Sequence, residues 1–118
     1  MLFRSVLSPE VKKTSHPQGG FNTPFFNALM RHDRVYICGE ASSHCVMETL
    51  IDIQKEFSGD KDMLDKVYIL EDCMSPVSPV TDKDGNIIVD FPKIANDALD
   101  NFRNAGMHLV KSTNDISI

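Results

Sequence analysis

The apolar residues change period along the chain, and each change marks an element. Val35, Tyr36, Ile37 and Cys38 form an unbroken apolar run rich in β-formers, as in a parallel strand covered on both faces. Gly39 ends the run, and the small residues Ala41, Ser42 and Ser43 follow. Apolar positions then recur at Val46, Leu50, Ile53 and Phe57, spaced by four, three and four. That stripe predicts an amphipathic helix ending near Ser58–Gly59, with either serine suited to cap its first free N–H groups. Lys61 to Lys66 is a polar connection, and Val67-Tyr68-Ile69-Leu70 is a second run too short for a helix. Two strands around an amphipathic helix make a βαβ unit with parallel strands and a right-handed crossover.

The flanks extend this unit. Thr23-Pro24 predicts a helix start, with Thr23 as cap and Pro24 at the first helical position. Phe25, Phe26, Leu29 and Met30 form its apolar face, and Arg31, His32 and Asp33 close it with His32 exposed. Ser75-Pro76-Val77-Ser78-Pro79 excludes a helix or a central strand. Asp84-Gly85-Asn86 marks a turn, and Ile87-Ile88-Val89 a short extended piece. Pro92 opens a last helix carrying Ile94, Ala95, Ala98, Leu99, Phe102 and Ala105 at helical spacing, with Gly106 as its stop. Leu109 to Ser112 predicts a third strand. Residues 1–22 show no period and carry breakers at Ser8-Pro9 and His16 to Gly20. They read as a loop or the remnant of a missing N-terminal half, with Lys12, Lys13 and His16 solvated.

Composition narrows the function classes. The 118 residues suit one domain with a modest core. A net charge of −5, with no basic cluster larger than Lys12-Lys13, points away from nucleic acid and membrane surfaces as partners. No apolar run approaches the ~18 residues of a membrane span. Cys38, Cys45 and Cys73 are an odd set without a C-x-x-C or other metal-like spacing. They argue for a reducing, cytoplasmic setting and against a metal site built from them. Cys38 is expected to be buried in mid-strand, and Cys73 to fill core at a strand's carboxyl end.

The chemistry concentrates at Cys45, at or near the start of the central helix. The thiolate is the attacking form of cysteine, and helix starts or nearby cations favour it. Amides from Gly39 to Cys45 are fixed donors of the kind that hold a developing oxyanion. The alternative is a small buried cysteine within a βα unit. Asp72, at the end of the second apolar run, reads as a base, an anchor for the cysteine turn or a loop cap. Loops that follow strand ends line the crevice of an open α/β sheet, which places residues 72–80 on the rim of a site.

The stretch Gly39-Glu-Ala-Ser-Ser-His-Cys-Val-Met-Glu-Thr-Leu50 resembles the catalytic turn of the nicotinamidase/isochorismatase-like cysteine hydrolases, roughly Gly-x-Ala/Thr-x-x-x-Cys-Val-x-x-Thr. Gly39, Ala41, Cys45, Val46 and Thr49 match it, and the Ser-His-Cys-Val form is similar to the larger nicotinamidase-related amidohydrolases. Leu70 to Val77 resembles that branch's strand-end Asp-x-x-Ser-Pro-Val, and Ala105-Gly-Met-His-Leu109 fits its turn into a last strand. The resemblance spans residues 23–115. It implies a three-layer α/β/α fold with a mainly parallel sheet, of which about three strands and three helices lie in residues 23–118. It implies hydrolysis of a small amide such as nicotinamide, with Cys45 as nucleophile and the backbone amides of Ala41 and Cys45 as oxyanion hole. Gly39, Glu40, Ser42, Ser43 and His44 would shape the turn or touch substrate, and Asp72 would support it from behind. Glu40 reads equally as an ordinary turn residue, and His44 as a packing or rim residue rather than a base. The Glu40–Ala41 peptide is where the family has a cis bond.

One departure from the family bears on every functional reading. The family's catalytic aspartate and lysine, and the aspartate and histidines that hold a divalent metal in some members, lie well before the cysteine turn. The residues before Cys45 show no such motif, so the chain reads as the C-terminal half of such an enzyme, without a cofactor of its own. An open sheet edge would then be covered by a second copy or by the missing half. Two other function classes stay open: a catalytically silent α/β binding module, and a thiol redox protein pairing Cys45 with Cys73.

Overall fold

Three parallel strands frame the protein, and every helix serves to bury one of their faces. The computed structural model describes Leu7 and residues 22–114. The elements run α1 (Thr23–Leu29), β1 (Val35–Ile37), α2 (Cys45–Glu56), α3 (Lys61–Leu64), β2 (Val67–Leu70), a 3-10 turn (Glu71–Cys73), β3 (Val80–Thr81), β4 (Ile87–Val89), α4 (Phe91–Ala105) and β5 (His108–Val110). The main sheet has the order β1-β2-β5, all parallel. This is the α/β class with a mainly parallel sheet. Apart from Leu7 and Asn22, the reading of residues 1–22, including Lys12, Lys13 and His16, lies outside the described residues.

The sheet register explains the core. Val35 lies beside Val67, and Ile69 lies between Ile37 and Leu109. This face meets a single cluster that also takes Phe26 of α1, Leu50 and Ile53 of α2, and Phe102 of α4. The alternate residues Tyr36, Tyr68 and His108 are also partners in register. Their rings form a row across the opposite face, with centroids 5.3 Å and 4.4 Å apart. Arg34 lies 5.3 Å over the Tyr68 ring, and His108 Nε2 is 2.7 Å from Asp65 Oδ1. Tyr36, Tyr68, Leu70, His108 and Val110 are all half-exposed, and none of them belongs to the core cluster. The described residues thus give one helical layer on one sheet face, and β1 is an edge strand.

Several local expectations shift. The cap of α1 is Asn22, whose side chain accepts from Phe25 N at 3.2 Å, so Thr23 is already helical. The polar connection 61–66 contains a helical turn, α3, because Asp60 caps it by accepting from Met63 N. Val80–Thr81 forms a strand that pairs antiparallel with β4 around the Asp82–Asn86 turn. The third strand of the main sheet begins at His108 and ends at Val110, short of Ser112. Cys38 is exposed rather than buried, because β1 ends at Ile37 on the sheet edge. Cys73 is also exposed, at the end of the 3-10 turn, and does not fill core.

Leu50 is fully buried in the cluster that joins α2 to the sheet. Replacing it with alanine is expected to lower unfolding stability by about 2–5 kcal/mol, which urea titration of the purified chain would measure. A loss below about 0.5 kcal/mol would contradict this packing.

Candidate functional site

Cys45 is the first residue of α2. The strand before it leaves the sheet at Ile37 and turns through Gly39, whose φ of +123° suits glycine. The Glu40–Ala41 peptide is cis, at the position where the resemblance places such a bond. Ala41 O then accepts from both His44 N at 3.0 Å and Val46 N at 3.1 Å, which closes the turn into the helix. Thr49 Oγ1 donates to Cys45 O at 2.9 Å. Among the described residues, neither the Ala41 nor the Cys45 N–H has an acceptor in the protein. These two amides were the ones expected to form an oxyanion hole, and both are free to donate to a ligand.

A second segment is bound tightly to this turn. Ser75 N donates to Glu40 Oε1 at 3.0 Å, and Ser75 Oγ lies 2.9 Å and 2.8 Å from the two carboxylate oxygens. Ser42 N donates to Ser75 O at 2.9 Å, and Gly39 N to Cys73 O at 3.1 Å. Val77 N donates to Ser43 Oγ at 3.0 Å, and that hydroxyl is 2.7 Å from His44 Nδ1. The His44 ring packs on Phe91 at the start of α4, with centroids 4.7 Å apart. Ser42, Ser43 and His44 are all buried. So neither serine caps α2: the N-cap is His44, with no side-chain cap bond, because Ser43 Oγ is committed to Val77.

A cleft of about 340 Å³ opens beside Cys45. It runs along β1 from Val35 to Glu40, between Phe25 and Leu29 of α1 and the inner side of α2. Its walls are mainly apolar, and Glu40 is the one ionisable carboxylate among the residues that line it. Of the expected site residues, Gly39, Glu40 and Cys45 line the cleft, while Ser42, Ser43 and His44 lie behind it, packed against the 75–77 loop and α4.

Asp72 does not support the cysteine turn. Its carboxylate accepts from Ser112 N at 2.8 Å and Ser112 Oγ at 2.7 Å, which ties the 3-10 turn to the segment after β5. The Ser112 backbone and side-chain bonds hold its acid below the usual carboxylate range. Asp72 is therefore a cap for the β5 exit. Ser75 is the residue that links the second loop to the turn. Its place in the loop after β2 puts it on the rim expected for residues 72–80, but its partner Glu40 lies 35 positions earlier, a pairing without local signal. Among the described residues no group of three His, Cys, Asp or Glu side chains is placed to hold a metal ion. No helix among them is long and apolar enough to cross a membrane. No protein-family model, curated protein or solved structure matches the chain.

The Asp72 tie has a pH signature. A carboxylate whose pKa is lowered on folding stabilises the fold above its unfolded pKa, and that contribution disappears as pH falls through the folded value. The folded chain is therefore expected to lose stability as pH drops below about 4, and Asp72→Asn is expected to flatten that part of the profile. Urea midpoints of both proteins between about pH 2 and 6 check this. Parallel profiles would exclude the tie.

Proposed function

We propose that the chain carries the nucleophile and oxyanion hole of a cysteine-dependent hydrolase acting on a small amide. The observation that carries this reading is Cys45 at the first position of a 12-residue helix on the wall of a cleft, in a turn whose Ala41 and Cys45 N–H groups have no acceptor among the described residues. The resemblance of residues 39–50 to the nicotinamidase-like turn supports the same chemistry, with nicotinamide as the first substrate to test.

In this reading the Cys45 thiolate attacks the amide carbonyl carbon. The two amides hold the developing oxyanion, the C–N bond breaks, and the amine leaves with a proton. Water then adds to the thioester carbonyl, the C–S bond breaks, and the acid departs while the thiol is restored. Proton transfer needs a base, and Glu40 is engaged with Ser75 through both oxygens. In this reading the base and an ammonium partner are supplied by covering chain outside the described residues, either a second copy or a segment preceding the turn. Three cysteines without a C-x-x-C suit a reducing cytoplasmic setting.

Iodoacetamide is expected to modify Cys45 faster in the folded chain than in urea, as read by peptide mass spectrometry across pH. Where the covering chain is present, release of ammonia from nicotinamide is expected to fall by about 1,000-fold or more in Cys45→Ser. Cys73→Ser, outside the cleft, is expected to keep the wild-type rate. Folded Cys45 reacting no faster than its unfolded counterpart, or full activity in Cys45→Ser, would end this reading.

A further inference from the structure

Glu40 looks at first like a surface carboxylate in a turn, yet three of its contacts fall on one residue of a different loop. Both oxygens engage Ser75, through its N–H and its hydroxyl. Ser75 returns the contact two residues later in the turn, where its carbonyl accepts from Ser42 N. Ser75 is thus gripped from both sides of Ala41, whose carbonyl organises the start of α2. Hydrogen bonds to a charged acceptor are stronger than neutral ones of like geometry, and this contact joins the exposed end of the seam between the two loops. The seam continues through Val77 N and Ser43 Oγ to buried His44, the residue immediately before Cys45.

We propose that Glu40 is a positioning residue for Cys45. By clamping Ser75 it holds the Ala41–Cys45 turn in the conformation that leaves the Ala41 and Cys45 N–H groups without an acceptor among the described residues. This rests on reading Cys45 as the nucleophile, and it assigns Glu40 a role distinct from substrate contact or general base. The role has a sign that separates it from a simple charge effect. Removing a negative charge near a thiol favours the thiolate and speeds alkylation. Releasing the turn disperses its donors and slows alkylation. The clamp therefore predicts that losing the carboxylate slows Cys45.

The test uses the whole chain, iodoacetamide, and free cysteine in the same solution as the reference thiol. Glu40→Ala and Ser75→Ala are each expected to slow Cys45 alkylation by about threefold or more, with the double variant no slower than the slower single variant. Glu40→Gln is expected to fall between, since its amide oxygen still accepts from Ser75 N while its NH2 does not accept from the hydroxyl. Amide hydrogen exchange is expected to accelerate at Ser75 and Val77 while the amides of α4 stay as protected as in wild type, which separates local release from unfolding. Alkylation that is unchanged or faster in Glu40→Ala, or additive effects in the double variant, would overturn the clamp. If wild type hydrolyses nicotinamide while the variants alkylate as wild type does, the clamp fails and the hydrolase reading stands. If the alkylation pattern holds and no amide is hydrolysed even with the covering chain present, the hydrolase reading fails and the clamp stands.

Discussion

The parallel register of β1 and β2 is the constraint on which the rest depends. With Ile37 beside Ile69, both strands end at the same edge of the sheet and their exits leave side by side. One exit becomes the cysteine turn; the other becomes the 3-10 turn and the Ser75 loop. Gly39 N reaching Cys73 O is the first bond beyond the sheet, and the Glu40, Ser42 and Ser43 contacts follow from it. A slip of one residue in that pairing would turn every side chain to the other face. It would also separate Glu40 from Ser75. The core fixes the register, because only this alignment puts Val35, Val67 and Ile69 together under α2.

Burial is one-sided, and that shapes the chemistry. All four helices contribute to a cluster on one sheet face, while the other face carries the Tyr36–Tyr68–His108 row. An aromatic row with a guanidinium over its centre shields the backbone of a narrow sheet and keeps polar tips wet. Half-exposed Leu70 and Val110 continue that face. The cleft beside Cys45 opens along β1, which among the described residues is one of the sheet's two edge strands, the other being β5. One open edge and the candidate site are therefore the same region of the molecule. Chain added to that edge would wall the cleft and complete its sheet at once.

Much of this was legible in residue order. The period changes at Gly39 and Gly59 bounded β1 and α2, and the Val67–Leu70 run and Pro92–Gly106 stripe located β2 and α4. Local chemistry alone decides such features, since glycine stops a strand and a 3.6-residue stripe needs a helix. The Ala41–Cys45 turn was legible for the same reason. What escaped were contacts between distant segments. Asp72 lies beside the cysteine turn in the fold's connectivity, yet the donor nearest its carboxylate is Ser112. Cys38 continues an apolar run, yet its burial depended on a neighbouring strand outside β1, which no residue of the run specifies. Thr23 has the chemistry of a cap, but Asn22 precedes it with an equally good acceptor one residue earlier.

The site divides its tasks unevenly between elements. Cys45 and the Ala41 and Cys45 N–H groups all lie within five consecutive residues, 41–45, so their mutual geometry is set by the fold of one turn. Among the described residues, Glu40, the one carboxylate lining the cleft, is engaged by Ser75, and His44 is packed against Phe91 and bonded to Ser43. A turn that holds an oxyanion but moves no proton lowers the barrier for addition and not for departure of the amine. Such a half-site would accumulate a reversible adduct rather than turn over. In the hydrolase reading, turnover therefore requires a proton-transfer group brought to the cleft beside Cys45 from outside the turn.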